Sequence, residues 1–552
     1  MHKNRGQKVL SITIILFLVV FLAAPILTLF GRAFQNIDGN FVGMENFTNY
    51  IGTRGFKVSL FNSLKVSTVA TLIAMILAFI YAYAVNRTNI KCKSLFHWIA
   101  LFPLFAPTMT HGIALIYLFG KKGLLTNALN LNFDIYGFWG ITISESLYIF
   151  PVVYLMMSLA LKNTDNRLYE AAEIMGTSSL KQFLTITLPS VKFTLITAFF
   201  SAFTMAFTDF GAPKIVGGNY SVLATEVYKK LLGQQDLEMG SVVGVILIIP
   251  AIIAFVVDYV VGKKNKMQVD SKATYYIIKK NKVRDTSVGI ISVLIMMAII
   301  MIFATILMSS LVTNWPYELD ITTKWFSFSV MGISGFEIFR NSILVAFATA
   351  VIGTVICFFA AYISGRKVSL PIVDKIIYFL GILPNAVPGL TIGIAYMFFF
   401  NKMNNPLKFI YGTFAILIFA NIIHFFATPF LTIRNEMRRI DSEYENVSEV
   451  MGVPWYSLLK RVIIPISMPA ILESFSYYFV NSMMTVSAVV FLYFPTTRLA
   501  TISMINKADI GEMAAASAVA VMIFITNIIF RYMFNRVTEF LRDKEERKKQ
   551  IA

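Results

Sequence analysis

Asp165-Asn166-Arg167-Leu168-Tyr169-Glu170-Ala171-Ala172-Glu173-Ile174-Met175-Gly176, followed thirteen residues on by Pro189, is the stretch from which the rest of the chain can be read. Asp165 is suited to cap a helix. Residues 166–175 are good helix formers, and the Ala171-Ala172 pair leaves a flat surface. Gly176 can take the left-handed conformation that ends a helix. Ser178 or Ser179 can start a second helix, which the restriction before proline ends at Leu188-Pro189. The prediction is two short helices at a sharp glycine turn, lying on a surface. The pattern returns 276 residues later with Asp441, Gly452 and Pro465, the intervening helix reading Glu445-Asn446-Val447-Ser448-Glu449-Val450-Met451.

The repetition extends outward from this loop. Asn62-Ser63 returns as Asn341-Ser342, and Tyr83 and Arg87 return as Tyr362 and Arg366. Pro103, Pro107, Gly112 and Ala114 return as Pro384, Pro388, Gly393 and Ala395, and Leu223-Ala224-Thr225 as Leu499-Ala500-Thr501. Chance likeness between apolar helices would match Leu and Ile, not Pro, Gly, Asp and Arg in register.

What is repeated is embedded in lipid-like composition. Of 552 residues 57% are hydrophobic and only 14% charged, with a mean hydropathy of +0.70, which excludes disorder and an ordinary soluble enzyme. Twelve apolar runs lie near 10–31, 58–85, 96–119, 137–160, 192–213, 241–262, 286–313, 340–364, 375–400, 409–432, 468–494 and 513–535. They are too long and too continuously apolar for barrel strands. The first follows Lys3, Arg5 and Lys8 but lacks a convincing cleavage pattern, so it reads as a span. The expected fold is an all-α integral membrane protein of about twelve spans in two parallel six-helix repeats. The first repeat covers 1–262, with its loop at about 163–191. A basic linker follows at 263–285, then the second repeat at 286–535, with its loop at about 439–467, and a charged tail at 536–552.

The net charge of +18 fits this topology better than nucleic-acid binding. With the N-terminus on the cytoplasmic side, most of the 48 Lys and Arg fall on that side, including Lys263, Lys264, Lys266 and Lys272 of the linker. Both termini are thus expected in the cytoplasm, at a cell membrane whose anionic headgroups attract the basic segments. Cys92 and Cys357 suggest neither a disulfide nor a metal site.

Glu170-Ala171-Ala172 with Gly176, then Ile186-Thr187-Leu188-Pro189, resembles the loop of membrane subunits of binding-protein-dependent ABC importers, and the resemblance covers nearly the whole chain. It implies that Glu170, Ala171, Ala172, Gly176 and Pro189, and in the second copy Glu445, Asn446, Glu449, Gly452 and Pro465, form coupling helices that dock on ATPase subunits. It also implies two copies of an ABC ATPase, which bind the ATP and Mg, and an extracytoplasmic substrate-binding protein. This chain itself needs no cofactor, and it has no G-x-x-x-x-G-K-[ST] phosphate loop, H-E-x-x-H or nucleophile elbow. The second copy departs from the pattern. Asn446 replaces Glu170, Val447-Ser448 replace the alanines, and Ser442 with Glu445 suggests a capping box. Asymmetric docking follows, with the first loop the more sensitive to charge changes.

Ionisable groups at membrane depth are candidates for the solute path. They are Asp209, near the outer end of span five, His111 after the Pro103/Pro107 break, and Glu145, where the second repeat has Asn421; His424 is a weaker candidate. For Asp209 the plainer alternatives are an ion pair with Lys214 or a cap on a broken helix. For the histidines and Glu145 the alternative is hydrogen-bonded packing. No ligand set for a metal is evident. The stretch from Asp209 to Gln235 resembles the fused permeases of 2-aminoethylphosphonate uptake, with fused ferric-iron permeases next, then those for thiamine or polyamines. A secondary transporter would instead place coupling carboxylates mid-membrane and keep no loop pattern, and a membrane enzyme would cluster His, Asp or Cys at one face.

Overall fold

The computed structural model describes residues 5–266, 274, 276–327, 335–366 and 370–551. Lys3, Lys272 and part of the linker lie outside the described residues.

The first half runs α1 (Gly6–Ala33), α2 (Arg54–Arg87), α3 (Lys93–Ala100), α4 (Thr108–Phe119), α5 (Phe138–Lys162), α6 (Asn166–Ile174), α7 (Ser179–Thr208), α8 (Gly211–Val216) and α9 (Leu237–Lys266). The second runs α10 (Lys282–Leu311), a hairpin of β1 (Val312–Asn314) and β2 (Glu318–Ile321), α11 (Gly335–Gly365), α12 (Pro371–Ile382), α13 (Gly389–Phe400), α14 (Phe414–His424), α15 (Ala427–Met437), α16 (Glu443–Val450), α17 (Trp455–Met484), α18 (Ala500–Asp509) and α19 (Met513–Ile551). Among the described residues nine unbroken helices are long and apolar enough to cross a membrane, and α12–α13 and α14–α15 are bent pairs, at 111° and 56°, that reach that length together.

The third of the twelve expected spans is divided in the same place as its counterpart. Pro103 lies in a 3-10 turn (Phe102–Phe105) between α3 and α4, as Pro384 lies in one (Leu383–Ala386) between α12 and α13. Each proline removes an amide donor and restricts the residue before it, so the α-helix stops and restarts at Thr108 and Gly389. Two expected boundaries shift. The fifth span ends at Thr208 and the eleventh at Met484, because Asp209 and Thr485 are extended.

The two first helices are exchanged. Besides α9 of its own half, α1 packs on α11, α12, α13 and α14 of the other; besides α19 of its own half, α10 packs on α2, α3 and α4. Their starting ends match as well: Gln7 donates to the Tyr362 hydroxyl at 3.3 Å, and Arg284 lies beside Tyr83. Asn62-Ser63 and Asn341-Ser342 do the same work in each half. Asn62 donates to the Ser221 carbonyl at 2.9 Å and Ser63 accepts from the Leu223 amide at 2.8 Å. Asn341 donates to the Thr496 carbonyl at 3.3 Å and Ser342 accepts from the Ala500 amide at 2.7 Å.

Candidate functional site

α6 starts at Asp165, whose side chain accepts from the Arg167 amide at 3.1 Å, as the sequence suggests. The Arg167 guanidinium, with help from the Thr274 backbone, holds this carboxyl well below the usual carboxylate range. The helix closes in the same way in both copies. Gly176 has φ +69 and Gly452 φ +67. The Thr177 amide reaches back to the Ala172 carbonyl at 2.9 Å, and the Val453 amide to the Ser448 carbonyl at 2.8 Å.

Three expectations need correction. The second helix of each module does not end at its Leu-Pro or Ile-Pro pair. It forms the start of α7 or α17 and continues through a π turn (Phe183–Thr187, Leu459–Ile463), with Pro189 and Pro465 in the first turn of the α segment that follows. The wider turn accommodates a residue without an amide proton. The alanine pair is not a flat exposed surface either, because Ala172 is 4% exposed and faces inward while Ala171 faces out. The capping box at Ser442 does not form. Glu445 instead pairs with Arg366, whose Nε donates to it at 2.6 Å, and the Asp441 side chain accepts from the Glu443 amide at 3.0 Å.

What the two modules share outward is apolar. Ile174 and Met175 are 89% and 75% exposed; the residues in register, Val450 and Met451, are 88% and 72% exposed. Leu180 and Tyr456, also in register, extend each patch. The sequence signal for them is apolar residues flanking a glycine turn. Glu170 and Glu449 are exposed; Glu170 accepts from the Asn166 amide group of its own helix at 2.7 Å, and Asn446 is likewise exposed. Each module is fastened inward by an arginine at the end of the long helix. Arg87 donates to the Leu161 carbonyl at 2.9 Å and stacks on Tyr169, 5.0 Å from its ring centre. Arg366 grips Glu445, in register with Tyr169, and donates to the Met437 carbonyl at 2.9 Å.

At membrane depth, Glu145 on α5 is fully buried and neither carboxyl oxygen has a hydrogen-bond partner among the described residues. Asp209 occupies the break between α7 and α8 and accepts from the Ala212 amide at 2.9 Å, the capping arrangement. Lys214 pairs not with it but with Asp509 of the second half, at 3.0 Å. The Glu145 and Asp209 carboxyls are close enough to interact without the geometry of a formed hydrogen bond. Tyr148 lies near enough for both carboxyls, and Tyr477 of the second half, to act on it electrostatically. His111 is placed elsewhere: its ring stands edge-on to Phe303 of α10 at 6.1 Å. In the second half Asn421 and His424 occupy the positions of Glu145 and Tyr148; Asn421 is buried and His424 half-buried. The face away from the modules carries a cleft of about 1130 Å³, lined by Tyr117, Lys122, Tyr220, Trp315 and Trp325.

A repeated bundle of membrane-length helices that carries paired surface modules is the build of a transport subunit. The chain belongs to the family of the binding-protein-dependent transport system inner membrane component, which matches it twice, at residues 74–266 and 353–539. It is a multi-pass permease of the ABC importer class. It is 25% identical over 525 residues to the ferric transport system permease protein FbpB of Actinobacillus pleuropneumoniae, covering 92% of this chain and 74% of that one. It is 27% identical over 508 residues to the putative ferric transport system permease protein FbpB 1 of Haemophilus influenzae, covering 88% and 78%. A crystal structure of a bacterial alginate ABC transporter in complex with its alginate pentasaccharide-bound periplasmic protein overlays on 47% of this chain and 94% of the matched one, with 18% identity and a TM-score of 0.40.

Proposed function

We propose that this chain couples two ABC ATPase subunits to a solute path through its modules α6–Gly176–α7 and α16–Gly452–α17. The observation that carries this reading is the pair of apolar tips in register, exposed on helices that arginines fasten to the bundle. Apolar side chains of this size, left in water, gain roughly 1.5–3 kcal/mol each when a partner groove buries them. The coupling residues are then Glu170, Ala171, Gly176, Glu445, Asn446, Glu449 and Gly452 at the surface, with Ala172, Pro189 and Pro465 shaping the modules. The modules and both termini face the ATPase side, the cytoplasm. A substrate-binding protein docks on the opposite face. The repeats divide at the 263–285 linker, as 1–262 and 286–535, with the tail at 536–552.

Glu145, Asp209 and His111 are the residues assigned to the solute path, with Tyr148 beside the two carboxyls and Tyr477 facing it from the other half. Ferric iron is the solute that the relatives' names support. A phosphonate such as 2-aminoethylphosphonate is the alternative that the residue 209–235 stretch favours. Vesicles holding this permease, its ATPase and its binding protein separate the two: uptake of labelled iron alone supports the first, and uptake of the phosphonate alone overturns it. For coupling, Ile174→Asp and Val450→Asp should each reduce ATPase co-purification by about tenfold or more. Full retention in both would sink the docking reading. Glu170→Ala should impair ATPase coupling more than Asn446→Ala, and equal impairment would refute the asymmetry.

A further inference from the structure

The described part of the linker, Thr274 and residues 276–281, lies against α6. Thr274 donates from its hydroxyl to Asp165 Oδ1 at 3.2 Å and accepts from the Asn166 amide at 3.0 Å. The Ile277 amide donates to Asn166 Oδ1 at 3.0 Å. Lys279 pairs with Glu173, which holds its ammonium above the usual lysine range. Between these ties the ring of Tyr276 sits 3.7 Å from the Arg87 guanidinium and 4.8 Å, edge to face, from Tyr169. Arg284 donates to the Lys279 carbonyl at 2.6 Å, at the start of α10.

Arg87 is 2% exposed, and its Nε and Nη1 have no hydrogen-bond partner among the described residues. Aromatic faces are what cover this cation, and a buried guanidinium stripped of its cover is strongly disfavoured. One of the two faces belongs to α6 itself. The other comes from the linker, which continues into a helix packed on α2, α3 and α4. In the second half the same arginine position is satisfied by Glu445 and backbone carbonyls.

We propose that the linker is a strap that positions the first coupling helix and ties it to α10, with Tyr276 as its positioning residue. The strap gives the two modules different freedom: α6 moves with the first helix of the other half, while α16 is held by Arg366 within its own half. The proposal rests on the reading of α6 as an ATPase-docking helix, so two measurements separate the two ideas.

The first uses the full chain alone in lipid nanodiscs. Tyr276→Ala should speed amide hydrogen exchange in residues 166–174 by about tenfold, the factor one desolvated cation–π contact represents, while Tyr276→Phe should leave it near wild type. The second uses the chain with its ATPase and binding protein in vesicles. Tyr276→Ala should lower solute moved per ATP hydrolysed several-fold without loss of ATPase co-purification, and Tyr276→Phe should restore it. Lys279→Glu should act in the same direction, and the paired exchange Lys279→Glu/Glu173→Lys should recover, which guards against a variant that simply misfolds. Unchanged exchange in Tyr276→Ala overturns the strap. Faster exchange with an unchanged solute-to-ATP ratio overturns its positioning role. If Ile174→Asp also leaves ATPase association intact, it is the docking reading that has failed.

Discussion

Gly211 and Gly389 occupy opposite sides of the same gap in the two halves. A Cβ on Gly211 would collide with the Thr108 hydroxyl, and one on Gly389 with the Ser487 hydroxyl and the His424 ring. Thr108 is in register with Gly389, and Gly211 with Ser487, so each half fills the gap with one hydroxyl, from a helix in the first and from a turn in the second. Gly389→Ala should therefore destabilise by about 1–3 kcal/mol, and adding Ser487→Gly should recover part of that in a thermal unfolding assay; no recovery would mean that His424 alone sets the limit. Arg366→Ala should cost about 3–5 kcal/mol, because it leaves Glu445 and buried carbonyls without their donor. Arg366→Lys should recover only part, since an ammonium cannot reproduce the fork; the same assay measures both. The arginines were visible in the sequence as a pair in register. Their partners were not, because position 169 is Tyr in one copy and its counterpart is Glu445 in the other. Ser442 and Glu445 have the spacing of a capping box, but Arg366, distant in sequence, takes the Glu445 carboxylate.

At the scale of elements, the turn at Gly176 is the simplest to test. No atom lies within 4 Å of a Cβ built there or on Gly452, so the cost of a side chain is backbone strain alone. Gly176→Val should cost about 1–2 kcal/mol, leave the permease in the membrane and weaken stimulated ATPase activity; Gly176→Asn should be milder. The contact of α6 with the linker should be insensitive to pH between about 5 and 9. Asp165 has a lowered pKa, so its contribution is present above about 3.9 and is lost only as pH falls through the lower folded value. Lys279 has a raised pKa, so its contribution is present below about 10.4 and is lost only as pH rises through the higher folded value. Exchange of residues 166–174, corrected for the chemical rate, checks this, and a transition inside the window would contradict it. Helix starts and glycine stops were legible because each depends on local chemistry. The π turns before Pro189 and Pro465 were not, since the Leu-Pro and Ile-Pro pairs read equally well as an ending. Tyr276 was hidden too, because the linker's charge drew attention to lipid rather than to α6.

At the scale of the whole molecule, the repeat was legible because prolines, glycines and arginines recur in register, and each recurrence performs a matching task. The exchange of α1 and α10 was not legible, since apolar helices do not reveal which neighbours they choose. The exchange predicts that a chain cut between residues 267 and 273, before the strap, still purifies as one complex. Each piece buries a helix against the other, so a tag on the first should recover the second in equal amount. Recovery of the first piece alone would contradict the packing.

The exchange of first helices also orders the making of the protein. α1 leaves the ribosome well before its partners in the other half, α11 to α14, which begin about three hundred residues later. At ordinary synthesis rates it waits on the order of half a minute in lipid without its final neighbours. Through that interval the nascent chain carries a helix whose partners in the second half are not yet made and, in α2 to α4, a vacant berth for α10. Nascent copies on one polysome are therefore able to trade first helices, and covalent fusion of the halves keeps the correct partner within reach.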